Sequence, residues 1–178
     1  MTVLPRPSKL SATGRRATSL ATRLALLAAV ALGASGCAQI DKLLGIEPKI
    51  ALRELSVSAT LGANSDSATA LDIVFAFDDT TRDALPKTGP EWFAAKQALL
   101  AGYGPALAVT SLQVPPATNA GPVALPDGFR RAVAVYSYAN YIAATGQPRG
   151  SLTLYRCTRI VLGPAAVAYQ NCSSSNNS

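Results

Sequence analysis

The side chains able to do chemistry are few. The chain of 178 residues has three cysteines, ten acidic residues and no histidine. The lack of imidazole removes Ser-His-Asp and Cys-His catalysis, histidine pH switching and most zinc and transition-metal sites together. Carboxylate and thiol chemistry remain. Asp72 and Glu91 are the candidates for a glycosidase pair, which needs carboxyls roughly 5–10 Å apart. Nothing in the spacing brings them together, and they read as surface charge. Asp78, Asp79 and Asp83 form an acidic cluster without the ligand spacing or turn glycine of an EF-hand loop, so a solvated turn is expected. Tyr136, Tyr138 and Tyr141 are candidates for a binding face, against the plainer reading of strand packing. Trp92-Phe93 reads as a helix docking on a sheet. There is no Walker loop and no Gly-rich dinucleotide fingerprint; no cofactor or metal is expected.

The cysteines divide by context. Cys37 ends Ala34-Ser35-Gly36-Cys37, after an apolar run from Leu24 to Leu32. Arg6, Lys9, Arg15, Arg16 and Arg23 precede that run, and no acid does. A run of about nine residues is too short for a bilayer, which needs about 20, but fits the h-region of a signal peptide. The tetrad resembles a lipobox, the mark of bacterial lipoproteins. That resemblance implies cleavage after residue 36, with diacylglycerol on the Cys37 sulfur and an acyl group on its new amino terminus. Two or three chains hold a protein firmly where one does not. Arg15-Arg16 lacks the apolar residues of a twin-arginine signal. Ala38 stands where an Asp would, by the enterobacterial sorting rule, retain a lipoprotein in the inner membrane. The expectation is therefore the outer membrane, on its periplasmic face.

Removing the leader changes the charge. Five of the 16 basic residues and none of the ten acids precede Cys37, which leaves 11 against ten. No basic stripe for nucleic acid survives. The expected organisation is a signal peptide over 1–36, a lipidated tether over 37–48, one domain over 49–172 and a disordered polar tail over 173–178.

The elements that would carry these residues are mostly strands. Ile50 to Thr60 alternates, with Leu55 and Val57 on one face. Gly62 to Ala68 has turn chemistry. Ala70 to Phe77 puts Leu71, Ile73, Phe75 and Phe77 on one face and reads as the central core strand. Thr88, Pro90 and Glu91 open a helix whose stripe is Trp92, Phe93, Lys96, Leu99, Leu100 and Tyr103. Ala106 to Val114 is a third strand. Asn119-Ala-Gly-Pro122 reads as loop, with Val123-Ala-Leu as a short edge strand. Phe129 to Ile142 reads as one long strand bent or bulged near Ser137.

Ser151 to Leu162 and Val167 to Cys172 flank a four-residue loop. A hairpin pairing Leu162 with Val167 puts Cys157 and Cys172 opposite each other, close enough to bridge. In an exported chain such a pair is first read as a disulfide. Two reduced structural cysteines are the alternative, and a redox pair would more often show C-x-x-C spacing. The pattern as a whole predicts an all-β antiparallel sandwich with a short helical insertion.

Several stretches, in order, resemble one family: the lipobox, Asn64-Ser-Asp66 after the first strand, Ala70-Leu-Asp-Ile-Val-Phe-Ala-Phe77, Pro90-Glu-Trp-Phe93 and Phe129-Arg-Arg-Ala-Val-Ala-Val-Tyr-Ser-Tyr138. Together they are similar to TssJ, the outer-membrane lipoprotein of bacterial type VI secretion. Ser65 stands where that family often has Pro, Thr69-Ala70 replaces a Ser-Pro-like entry, and a disulfide hairpin is not expected of it. The resemblance implies a transthyretin-like sandwich without catalysis. It also implies binding of the periplasmic part of an inner-membrane component, TssM, through the loop between the first two strands. The matching positions are Gly62, Ala63, Asn64, Ser65 and Asp66. A different reading of the residues is a lipid-anchored periplasmic binding module or inhibitor that uses the tyrosine face for a small ligand, glycan or enzyme.

Overall fold

The structure, a computed structural model, describes residues 49–143 and 147–172. The signal peptide, Cys37, the tether, the centre of the turn at Thr145-Gly146 and the tail over 173–178 lie outside the described residues.

The chain forms β1 (Glu54–Ala59), β2 (Thr69–Ala76), helix α1 (Asp79–Ala84), helix α2 (Gly89–Tyr103) and β3 (Leu107–Val114). There follow β4 (Asn119–Pro122), β5 (Ala134–Asn140), β6 (Gly150–Ser151), β7 (Cys157–Leu162) and β8 (Val167–Asn171). One sheet has the order β4-β1-β7-β8 and the other β3-β2-β5-β6. The expected all-β sandwich with a helical insertion is what forms. One refinement concerns β1 and β7, which pair in parallel from Glu54↔Cys157 to Ala59↔Leu162; the other strand pairs among the described residues are antiparallel.

The β2 sequence explains the layers. Leu71, Ile73 and Phe75 point between the sheets and meet Leu55, Val57, Val135, Ile160 and Leu162, all buried. Burying each such side chain is worth about 1.5–3 kcal/mol. The opposite face of β2 is buried as well, because α2 lies on it. Val74, Ala76, Leu107 and Tyr138 form a second core there with Trp92 and Leu85. A central strand covered on both sides tolerates no water-facing residue, so β2 is apolar almost throughout.

Helix α2 begins where its chemistry dictates. The Thr88 hydroxyl accepts from the Glu91 N–H at 3.4 Å, and the Glu91 carboxylate accepts from the Thr88 N–H at 3.1 Å. This reciprocal capping box satisfies two orphan donors. Gly89 is required next, since a Cβ there would collide with the carbonyl oxygen of Ala139. The helix thus starts hard against the end of β5. The expected stripe holds: Trp92 is buried, and Phe93, Lys96, Leu99, Leu100 and Tyr103 are half-buried.

Five local expectations are corrected. Asp79–Ala84 is a short helix capped by Asp78 rather than an open turn. The edge strand is Asn119–Pro122, not Val123–Leu125. Gly121, at φ 62°, lies beside the register irregularity against Val57 and Ser58, and this lets a Gly-Pro segment pair with β1. Phe129–Arg131 is a turn of 3-10 helix, so β5 is shorter than expected. β5 also pairs with β2 without interruption from Ala76↔Ala134 to Ala70↔Asn140, so there is no bulge at Ser137. Finally, the stretch after residue 150 divides into β6 and β7.

Candidate partner-binding surface

The β1–β2 loop is the most unusual backbone among the described residues. Asn64, Ser65 and Asp66 have φ of 50°, 56° and 59°, a single left-handed turn made by three non-glycine residues, and Gly62 lies at 73°. L-residues in this region cost about 1–2 kcal/mol each, less for Asn and Asp. Such strain persists only where the surroundings over-determine it.

The surroundings are specific. Asn64 Oδ1 accepts from the Ile142 N–H at 2.7 Å, and Asn64 Nδ2 donates to the Asn140 carbonyl at 3.4 Å. The Asn64 N–H donates to the Gly163 carbonyl, and the Thr60 carbonyl accepts from both Ala63 and Ala117. Tyr141 donates to the carbonyls of Gly163 and Ala166 at 3.0 and 3.2 Å. Through these bonds the loop is joined to the end of β5, to the β3–β4 connection and to the β7–β8 turn. The result is a four-part crown at one end of the sandwich.

The five residues matched to the family loop therefore separate. Ala63 and Asn64 are buried, at 0% and 2% exposure, and hold the loop. Gly62 is half-buried, and Ser65 and Asp66 face water. Leu61, 82% exposed, was not singled out by the sequence, nor was Ile142 at 64%. An exposed leucine beside a turn was the available signal. A shallow depression lined by Asn64, Ser67, Ala70, Gln113, Asn140 and Ile142 adjoins them.

The other candidates have structural duties. Asp72 is buried and accepts from Trp92 Nε1 at 2.7 Å, while Lys96 Nζ lies 2.8 Å from the same carboxylate oxygen. Glu91 is committed to the helix cap, whose hydrogen bonds hold its carboxyl below the usual range. The two do not form a catalytic pair. Asp78 caps α1 by accepting from the Thr81 N–H, which lowers its pKa, and Arg82 pairs with Asp79 and Asp83. Among the described residues no cluster of His, Cys, Asp or Glu fits a metal ion.

Tyr136 and Tyr138 share the helix-covered face of β5, but Tyr141 does not, and neither of the two forms an open binding face. Tyr138 is fully buried, stacked on Trp92 at 4.9 Å, and its hydroxyl donates to the Pro86 carbonyl at 2.7 Å. Burial pushes its pKa up to about 12. Tyr136 lies beneath the Arg149 guanidinium at 4.1 Å, and that guanidinium also donates to the carbonyls of Leu85 and Pro86. Tyr141 belongs to the other core.

Cys157 and Cys172 are bonded, with Cα atoms 5.3 Å apart. The hairpin register, Leu162↔Val167 to Thr158↔Asn171, is the one read from the sequence. The disulfide closes the edge strand that Tyr169 also fastens to Ser137 of the other sheet, oxygen to oxygen at 2.8 Å.

Together these features define a two-sheet sandwich with one sheet covered by a helix and a rigid loop crown at one end. That fold is the fold of TssJ. Serratia marcescens Lip, a membrane-bound component of the type VI secretion system, superposes with a TM-score of 0.51 at 14% identity, over 68% of this chain and 96% of that one. The type VI lipoprotein TssJ1 of Pseudomonas aeruginosa gives 0.53 at 14% identity, over 68% and 95%. No protein-family model and no curated protein matches the sequence.

Proposed function

We propose that this chain is a non-enzymatic lipoprotein of a type VI secretion membrane complex. It is anchored through Cys37 in the outer membrane on the periplasmic side, and its crown binds the periplasmic part of a TssM-like inner-membrane component. The observation that carries the reading is the strained, fully braced β1–β2 loop on a TssJ fold. A tether needs a firm hold at one end and a preorganised contact at the other. Two or three acyl chains supply the first. A loop whose conformation is set before binding supplies the second, because less ordering entropy remains to be lost.

Two measurements test this. Metabolic labelling with a fatty-acid analogue should mark the mature chain and not the Cys37→Ser variant, with the label in the outer-membrane fraction. The intact chain in detergent should bind the purified periplasmic part of the inner-membrane component from the same secretion cluster. An unlabelled, freely soluble chain overturns the anchoring. A labelled chain that does not bind overturns the assignment of partner.

A further inference from the structure

Taken as a surface, the crown has a chemical character beyond its loop. It comprises residues 60–68, 113–118, 140–143 and 163–166, and within these ranges the sequence holds a single charge, Asp66. Leu61 and Ile142 are the exposed large apolar side chains there. Pro115, Ala117, Ala143, Pro164, Ala165 and Ala166 are exposed around them. None of the ion pairs among the described residues involves Asp66. An exposed apolar patch with one isolated carboxylate fits the usual make-up of an interaction site, an apolar centre plus a charge that fixes register.

Position and charge bear on the occupant. β1 runs from Glu54 to Ala59 into the crown, so the domain's first described residue, Lys49, enters at the opposite end of the sandwich. A crown whose single charge is a carboxylate, with no Lys or Arg in it, suits a cationic segment of a protein better than an anionic lipid surface.

We infer that Leu61 and Ile142 are the apolar anchors of a protein-docking surface, that Asp66 is its register-setting charge, and that Asn64 positions them without touching the partner. The partner segment is apolar and carries a Lys or Arg that meets Asp66. Asn64 acts through its two side-chain bonds, which fix the Leu61–Asp66 turn against the backbone of Ile142. The inference rests on the proposed tethering role and adds to it the residues and the chemistry of the contact.

The test uses the intact chain in detergent and the purified periplasmic part of the inner-membrane component as probe. Leu61→Ser and Ile142→Ser should each weaken binding about tenfold, as loss of a central apolar anchor does. Asp66→Asn should weaken it about threefold and flatten its salt dependence, and Asp66→Lys should weaken it more. All three positions tested are exposed, and unchanged melting temperatures establish that the four variants fold. Wild-type binding with the anchor variants unimpaired overturns the inference and leaves the tethering role standing. No wild-type binding overturns both. A third arm measures flotation of the Cys37→Ala chain with phosphatidylethanolamine–phosphatidylglycerol vesicles; flotation abolished by Leu61→Ser and Ile142→Ser assigns the anchors to lipid and also overturns the inference.

Discussion

The carboxylate of Asp72, on the central strand, accepts a hydrogen bond from the indole N–H of Trp92, on the helix, at 2.7 Å. Lys96, one helical turn further on, supplies the compensating charge at 2.8 Å and also donates to the Ser111 hydroxyl at 3.0 Å. The insertion is thereby fastened to two strands by polar bonds as well as by the stacking of Trp92 on Tyr138. Asp72→Ala leaves a buried N–H and a half-buried ammonium without their acceptor and should cost about 3 kcal/mol, the lower end for breaking a buried pair from one side. Asp72→Asn can still accept from Trp92 and should cost less. Urea unfolding of the two variants measures the difference.

The Cys157–Cys172 bond closes a loop of sequence separation 15 at the sheet edge. Its loss should cost up to about 3 kcal/mol, less to the extent that the hairpin survives in the unfolded chain. The Cys157→Ser, Cys172→Ser double variant and the reduced wild type should melt at similar, lowered temperatures.

Tyr138 sets an alkaline limit. Burial raises its pKa to about 12, above the ordinary value of 10. The unfolded chain therefore releases this proton first. The stability linked to it is intact below pH 10 and is lost as pH rises from about 10 to 12. Burial also raises Tyr141 and Tyr169, which add in the same direction. Tyr138→Phe loses the bond to Pro86, worth about 1 kcal/mol at neutral pH, and its stability should fall less steeply across that window. Denaturant titrations at pH 8 and pH 11 check this.

Ser65 has φ of 56° and is exposed, so its left-handed backbone is not offset by burial of its side chain. Ser65→Gly should raise stability by about 0.5–1 kcal/mol, since glycine enters this region freely but loses more entropy on folding. Asn64→Gly gains the same freedom yet loses both side-chain bonds, and should be destabilising. Opposite signs at neighbouring positions, read from thermal melts, separate backbone strain from the bracing that contains it.

What the sequence made legible depended on how local the cause was. The alternation of β2, the cap at Thr88 and the register of the last hairpin all follow from neighbours within a few residues, and each appears as expected. The parallel pairing of Glu54–Ala59 with Cys157–Leu162 joins segments about a hundred residues apart, and no local pattern announces it. β4 escaped notice because Asn-Ala-Gly-Pro has no strand signature; its pairing is imposed by the edge of β1. Asp72 read as surface charge because alternation identifies a second face but not the helix that covers it. The turn over residues 62–68 lies where its residue types put it, whereas the bracing by Asn64 needed its bonds to Ile142 and Asn140, which come from distant parts of the chain.

The place of β1 in its sheet has a mechanical consequence. It lies between β4 and β7, and one end receives the chain from residue 49 while the other passes into the crown. A pull between those two ends is directed along β1. It loads the ladders to β4 and β7 in shear, so that many hydrogen bonds must give way at once instead of opening one after another. Resistance to such a pull would come from both neighbours of β1 together rather than from a single hydrogen bond at its end.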